Sequence, residues 1–157
     1  MATEIERKFL VTGTAWRRPD AVRYCQGYLN RDKERTVRVR LAGEQAFITI
    51  KGITRVMSRA EFEYAIPVAD ATQLLQLCHG PLINKMRHIV VCNGTRWEVD
   101  EFMDENAGLV VAEVELESEG QPFERPDWLG REVTDDPRYY NSNLAAEPYC
   151  AWSDNRS

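Results

Sequence analysis

The sequence is poor in cysteine and histidine, and neither residue type forms a ligand motif. The four cysteines lie far apart in the chain, at Cys25, Cys78, Cys92 and Cys150. Zinc-binding cysteines come in close pairs, and disulfide scaffolds are denser and exported. The spacing therefore predicts free, mostly buried thiols in a reducing compartment. His79 and His88 form no ligand cluster either and are interpreted as structural.

Three further features that membrane or nucleic-acid proteins carry are missing. No apolar run approaches the roughly 20 residues that span a bilayer as a helix. The first residues are charged and lack the apolar region of a secretory signal. The formal net charge is −5, whereas general nucleic-acid binding needs a basic field. We expect a cytoplasmic chain that binds neither membrane nor nucleic acid.

The dominant pattern is alternation of polar and apolar residues with period two, which indicates β-strands. Turn signals separate several strands, among them Asn93-Gly94, which is typical of a tight hairpin. The pattern predicts eight strands, at Glu4–Val11, Val22–Leu29, Thr36–Leu41, Ala46–Lys51, Arg59–Ile66, Ile83–Val91, Thr95–Phe102 and Leu109–Leu116.

Helical patterns are few. One helix is predicted over Ala69–Cys78, ended by Gly80-Pro81, and a short one within Asn141–Glu147. Eight closely spaced strands in a 157-residue chain predict a mainly β (α+β) fold, an eight-stranded antiparallel β-barrel with a few flanking helices. We expect a single domain over residues 1–157, with the barrel at about 3–117 and a C-terminal helix and tail at about 118–157.

Charged residues of one sign recur at alternate positions of the same strand. The acidic pairs are Glu4/Glu6, Glu61/Glu63 and Glu113/Glu115, and the basic pairs are Arg38/Arg40 and Lys85/Arg87. One such strand alone would indicate a solvated sheet face. Surfaces that serve solubility intersperse the two signs, however. The segregated pairs favour faces that converge on ligands, the acidic ones on a metal cation and the basic ones on a polyanion.

A triphosphate with a divalent metal would use both kinds of pair. The sequence has no G-x-x-x-x-G-K-[ST] loop, so phosphates would be held by side chains. The basic candidates are Lys8, Arg38, Arg40, Lys51, Lys85 and Arg87. The acidic candidates are Glu4, Glu6, Glu61, Glu63, Asp100, Glu113 and Glu115.

The opening Glu4-Ile5-Glu6-Arg7-Lys8 resembles the Glu-x-Glu-x-Lys signature of the CYTH superfamily, the triphosphate tunnel metalloenzymes. Six further charged elements follow in the family's order, at Arg38-Val39-Arg40, Lys51, Glu61-Phe62-Glu63, Lys85-Met86-Arg87, Val99-Asp100 and Glu113-Val114-Glu115. Residues 132–141 resemble the segment after the last barrel strand in compact bacterial members. The resemblance covers nearly the whole chain.

The resemblance implies a polar tunnel that binds triphosphate with Mg²⁺ or Mn²⁺. It implies that the six basic residues hold the phosphates, and that Glu4, Glu6, Asp100, Glu113 and Glu115 bind metal. Glu61 and Glu63 would lie on the metal side or orient the attacking water. Lys8, Glu63 and Lys85 are the expected catalytic residues.

The expected reaction is hydrolysis of tripolyphosphate to pyrophosphate and phosphate. A class IV-type adenylate cyclase and a thiamine triphosphatase stay open, the latter because Trp16, Trp97, Tyr24 or Tyr28 could stack on a ring. A non-catalytic polyphosphate-binding module and a structural barrel with internal ion pairs are the alternatives of another class. The apolar tail Pro148–Trp152 indicates docking, either on the barrel or on a second subunit of a homodimer.

Overall fold

A computed structural model describes residues 2–55 and 57–152. The strands alternate apolar and charged residues and pair antiparallel throughout. They are β1 Ala2–Val11, β2 Val22–Asn30, β3 Arg35–Ala42, β4 Gln45–Gly52, β5 Ser58–Ala65, β6 His79–Cys92, β7 Thr95–Phe102, β8 Val110–Glu115 and β9 Leu129–Glu132. The helices are α1 Val68–Gln76 and α2 Asn141–Ala146, with single 3-10 turns at Asp104–Asn106, Pro137–Tyr139 and Tyr149–Ala151.

The first eight strands form a closed barrel. The strand order is β5-β4-β3-β2-β6-β7-β8-β1, and β5 pairs with β1 to close the ring. β1 uses one edge for β8 and divides the other edge between two partners. β5 pairs with Ala2–Ile5, and the short β9 pairs with the stretch from Phe9 to Val11. The expected eight-stranded barrel is confirmed, with one added strand.

The barrel carries its charged side chains inside and much of its apolar core outside. Lys8 and Glu6 belong to the inner face of β1, whereas Phe9, of the opposite parity, is fully buried on the outer face. Phe9 packs edge-to-face against Trp97 and Phe123. Loops before β2 and after β8 therefore cover this outer wall, and Trp16 and Trp128 join the same cluster.

The two helices occupy different places. α1 packs outside β2–β4, where Leu75 and Ala71 are buried against Val39. α2 lies at one end of the barrel, where Leu144 joins a cluster with Tyr28 and residues of β6–β8. The tail follows α2 and docks on the same chain, since Trp152 stacks edge-to-face on Tyr139 and Tyr149 of this end.

Some predicted boundaries are wrong. β9 was not predicted, because four residues with Gly130 among them show no clear alternation. β6 begins at His79 rather than Ile83, so that Gly80-Pro81 lies within a strand. The Asn93-Gly94 hairpin is confirmed, and both residues adopt positive φ (50° and 80°), as a type I′ turn requires. No helix in the described part of the chain is long and apolar enough to cross a membrane.

Candidate active site

The barrel interior holds a cavity of about 330 Å³ with charged walls. It is lined by every charged residue predicted from the sequence except Asp100. These are Glu4, Glu6, Lys8, Arg38, Arg40, Lys51, Glu61, Glu63, Lys85, Arg87, Glu113 and Glu115. Alternation places them on the inner face of each strand, and barrel closure brings the strands together. The residues proposed to converge therefore do share one cavity.

The six basic side chains are buried. Each of them is less than 10% exposed, and Lys85 is not exposed at all. Charges are rarely buried without partners, because desolvation is costly. Arg38 Nε nevertheless has no hydrogen-bond acceptor among the described residues. Among the described residues, its Nη2 contacts Thr49 Oγ1 at 3.2 Å and Glu63 at 3.6 Å. Arg38 lines the cavity, so its guanidinium is suited to an anion there.

Lys8 of β1 is held between two carboxylates. Its Nζ lies 2.6 Å from Glu113 Oε1 of β8 and 3.0 Å from Glu6 Oε1. Burial opposes the charge of Lys8, but Glu113 and Glu6 outweigh it and raise the pKa of Lys8 well above its usual range. Burial likewise works against the charge of Glu6, and Lys8 brings the pKa of Glu6 below its usual value. Lys8 and Glu6 therefore both stay charged.

Lys51 of β4 forms an ion pair with Glu4 of β1 in the cavity wall. Its Nζ lies 2.9 Å from both carboxylate oxygens of Glu4, and Arg59 Nε approaches the same carboxylate at 3.5 Å. Burial would raise the pKa of Glu4, but Lys51 and Arg59 lower it on balance. Glu4 is therefore ionised although only 7% of it is exposed.

Asp100 of β7 lies behind the cavity wall. It accepts two 2.8 Å hydrogen bonds from Arg87 and lies 2.7 Å from Lys85 Nζ. Burial favours its neutral form, yet Arg87 and Lys85 depress the pKa of Asp100 far below its usual range. Burial, together with the positive charges of Arg87 and Arg40, lowers the pKa of Lys85 to about 7. The carboxylate of Asp100 acts in the opposite direction but does not outweigh them. The structure thus places Asp100 beside two cations.

Tyr24 supports the neighbouring guanidinium groups. Its ring centroid lies 4.8 Å from Cζ of Arg40 and 4.5 Å from Cζ of Arg87, in cation–π contact with both. Burial, with Arg38 and Arg87 nearby, lowers the pKa of Arg40 to about 9. Arg38 and Arg87 therefore add to the effect of burial in disfavouring the charge of Arg40, and a bound polyanion would oppose this.

The carboxylates that line the cavity on β1, β5 and β8 are also close to one another. Burial and the carboxylate of Glu4 raise the pKa of Glu61 to about 7. Burial and the carboxylates of Glu4, Glu98 and Glu6 raise the pKa of Glu115. In the described chain no three His, Cys, Asp or Glu side chains converge into a ready metal site. The all-oxygen donor set of these carboxylates nevertheless fits a hard divalent cation.

Several lining residues were not predicted as site residues. Arg59 and Glu98 share inner faces with Glu61 and Asp100, so strand parity alone would have identified them. Gln26 and Asn141 bind the basic groups, but as neutral residues they carried no charge signal. Tyr24 and Tyr28 line the cavity as the alternation suggested, whereas the rings of Trp16 and Trp97 lie in the outer core. His88 is structural, since Nδ1 accepts the Arg18 N–H at 3.0 Å.

The protein is thus a closed antiparallel β-barrel whose candidate active site is the charged cavity in its interior. A family model for the CYTH domain matches residues 2–143. The chain is 50% identical over 151 residues to an inorganic triphosphatase of Acetivibrio thermocellus, covering 95% of this chain and 97% of the relative. It is 37% identical over 147 residues to an inorganic triphosphatase of Nitrosomonas europaea, covering 91% and 97%.

A solved structure of an inorganic triphosphatase superposes with a TM-score of 0.64 at 37% identity, over 92% of this chain and 95% of that one. The chain belongs to the CYTH family. The resemblance read from the charged elements is confirmed.

Proposed function

We propose that the protein is a metal-dependent triphosphatase that splits inorganic tripolyphosphate into pyrophosphate and phosphate inside the barrel. The observation that carries the proposal is the wall of six buried basic side chains around one cavity, with Arg38 Nε still lacking an acceptor among the described residues. The two inorganic triphosphatases with 50% and 37% identity support the same reaction.

In this proposal the basic residues bind the triphosphate from several directions. Arginine forks chelate phosphate oxygens, and lysines supply point charge. Arg38, Arg40 and Arg87 face the cavity from β3 and β6. Lys51, Lys85 and Lys8 complete the ring from β4, β6 and β1. Because the groups are already in place, they stabilise the negative charge that grows on the leaving pyrophosphate without reorganising.

The carboxylates of β1, β5 and β8 would hold the metal. Mg²⁺ and Mn²⁺ prefer carboxylate and water oxygens, and the proposed ligands are Glu4, Glu6, Glu61, Glu113 and Glu115. Held by these carboxylates, a divalent cation would supply positive charge to the phosphates and lower the pKa of the attacking water. Asp100 lies behind Arg87 and Lys85, and we assign it the task of holding these two cations rather than metal.

Three residues are proposed to act on the reacting groups. Lys8 stays charged between Glu6 and Glu113 and would stabilise the phosphate under attack. Lys85 would bind an end phosphate oxygen beside Asp100. Glu63 accepts a 2.8 Å hydrogen bond from Thr49, is 43% exposed and could orient water at the cavity mouth.

A substrate panel tests the reaction. Phosphate release is measured with malachite green on tripolyphosphate, ATP and thiamine triphosphate, each with Mg²⁺ or Mn²⁺. We expect the highest kcat/KM on tripolyphosphate. Cyclic AMP from ATP would instead support the cyclase, and faster release from thiamine triphosphate would support the thiamine enzyme. No release from tripolyphosphate with either metal would overturn the proposal.

A non-catalytic polyphosphate-binding module would not need the acidic wall. We expect Glu115→Ala to lower turnover by at least about a hundredfold while metal-free tripolyphosphate binding persists, because the basic ring is intact. Glu117→Ala, at an exposed position two residues beyond, is the matched control and is expected to keep wild-type turnover. Turnover of Glu115→Ala at the wild-type rate would refute the metal assignment.

The remaining expectations belong with this proposal. We propose that the substrate is a small molecule, that neither nucleic acid nor membrane is a partner, and that the enzyme acts in the cytoplasm. We also propose one domain over residues 1–157. The tail docks on its own barrel end, and any homodimer would need another surface.

A further inference from the structure

Two neutral amides connect the basic groups Arg40 and Lys85 beside the cavity. Gln26 of β2 is fully buried, and its Oε1 accepts a 2.8 Å hydrogen bond from Arg40 Nε. Its Nε2 donates to Asn141 Oδ1 of α2 at 3.0 Å. The same Asn141 oxygen accepts from Lys85 Nζ at 3.0 Å. A continuous chain of hydrogen bonds thus runs from Arg40 on β3 to Lys85 on β6.

The orientation of both amides follows from their partners. Arginine and lysine can only donate, so Gln26 must turn its oxygen to Arg40, and Asn141 must turn its oxygen to Lys85. Gln26 is then left with its NH₂ toward the Asn141 oxygen, and the chain is consistent at every link. No alternative flip keeps all three hydrogen bonds.

The choice of amides matters electrostatically. An amide oxygen satisfies a cation's N–H group without cancelling its charge, whereas a carboxylate in the same place would pair with the cation. Lys85 already has the carboxylate of Asp100 on one side. A second carboxylate would leave it little net charge for a phosphate. Gln26 and Asn141 fix the direction of Arg40 and Lys85 without placing a further negative charge beside them.

We propose that Gln26 and Asn141 are positioning residues that aim Arg40 and Lys85 at the triphosphate, so that α2 of the C-terminal segment is part of the phosphate site. The inference rests on the proposed function and adds to it a contribution from Asn141, which lies outside the eight barrel strands. Neither residue touches the reacting atoms, and each acts through the cation that it binds.

Asn141→Asp separates this role from a structural one. Aspartate keeps the oxygen that accepts from Gln26 and Lys85, so a purely structural role predicts an unchanged KM and an equal or higher melting temperature. If Asn141 instead positions Lys85 without cancelling its charge, the added carboxylate should weaken phosphate binding. KM for tripolyphosphate is then expected to rise on the order of tenfold to a hundredfold, with a smaller change in kcat. Gln26→Glu is expected to act in the same direction.

Asn143→Asp is the matched control on the same helix. Asn143 is exposed and its amide donates to the Pro137 carbonyl at 2.6 Å, away from the cavity cations. The control adds the same charge and loosens the same helix, and we expect its KM to stay within about twofold of wild type.

Calorimetric titration of tripolyphosphate in EDTA gives a second readout that does not need turnover. We expect Asn141→Asp to bind more weakly by a similar factor and Asn143→Asp to bind like wild type. Unchanged KM and affinity in Asn141→Asp, or equal losses in Asn143→Asp, would overturn the inference. Wild-type protein that binds tripolyphosphate without hydrolysing it would overturn the proposed function alone, and the binding comparison would still decide the role of Asn141.

Discussion

Arg38 shows how a single side chain of the cavity indicates its ligand. It is 8% exposed, and two of its contacts lead to Thr49 and Glu63, yet its Nε lacks an acceptor in the part of the chain that the structure describes. Leaving a buried charged donor unsatisfied costs more than one hydrogen bond contributes. Arg38 lines the cavity, where its guanidinium can bind a phosphate oxygen.

We therefore expect Arg38→Lys to raise KM for tripolyphosphate by roughly tenfold, because lysine keeps the charge but loses the guanidinium fork. Malachite-green kinetics measure the effect. Arg35→Lys is the control, since Arg35 is 61% exposed outside the cavity and pairs with Asp32. An unchanged KM in Arg38→Lys would contradict the proposed phosphate contact.

Asp100 holds two buried cations, and its removal is expected to affect stability. In Asp100→Asn, Lys85 and Arg87 would face each other without their carboxylate, and we expect unfolding free energy to fall by about 3–5 kcal/mol. Urea denaturation measures this loss. Asp136→Asn breaks the more exposed pair with Arg138 and should cost no more than about 1 kcal/mol. Equal losses in both variants would show that the Asp100 pairs do not stabilise the fold.

Residue-level prediction from the sequence succeeded where charge was the signal. Glu61 and Glu113 were identified because same-sign charges at alternate positions of their strands favoured faces that converge on a ligand. Gln26 and Asn141 were not, because their role depends on which cation lies opposite them. Only barrel closure and the docking of α2 bring Asn141 to Lys85.

At the scale of elements, α2 brings Asn141 and Ser142 to the cavity although it has only six residues. Leu144 is 1% exposed and packs with Tyr28, Phe102 and Tyr139. A helix this short is not stable alone, so its position depends on this packing. The hydrogen bond from Lys85 to Asn141 depends on the same packing.

Leu144→Ala is expected to lower unfolding free energy by about 2–5 kcal/mol through the cavity it leaves. It should also raise KM, because a loosened α2 no longer holds Asn141 against Lys85. Leu77→Ala, at a side chain that is 69% exposed, should change neither quantity measurably. A Leu144→Ala protein that is destabilised but keeps the wild-type KM would show that α2 does not contribute to phosphate binding.

The predicted elements failed where a strand was short or began with unfavourable residues. β9 has four residues, and a Cβ on its Gly130 would meet the Leu10 carbonyl oxygen at 3.1 Å, so glycine there reflects close strand contact. Local alternation cannot report such a contact. Gly80-Pro81 is a helix-stop signal by propensity, yet pairing with β2 makes this segment the start of β6.

At the scale of the whole molecule, a net charge of −5 conceals a cavity lined by six buried basic residues as well as by acidic ones. The net charge excludes no internal polyanion site, because the barrel sorts its charges by strand face. The cations disfavour each other, as the lowered pKa of Arg40 (about 9) reflects after burial. Binding of a polyanion should then stabilise the fold as a whole.

Tripolyphosphate in EDTA is accordingly expected to raise Tm by about 5 °C or more at saturating concentration. Thermal unfolding followed by circular dichroism measures the shift. Sodium chloride at equal ionic strength should give a much smaller one, and orthophosphate an intermediate one. Equal shifts for tripolyphosphate and chloride would argue against a phosphate site in the barrel.

The products formed from tripolyphosphate test the proposed activity most directly. Phosphorus NMR can follow tripolyphosphate with the enzyme and Mg²⁺ or Mn²⁺, and with EDTA as the control. We predict that pyrophosphate and phosphate appear in equal amounts with metal and that neither appears in EDTA. Intact tripolyphosphate in the presence of both metals, or equal hydrolysis in EDTA, would contradict a metal-dependent triphosphatase.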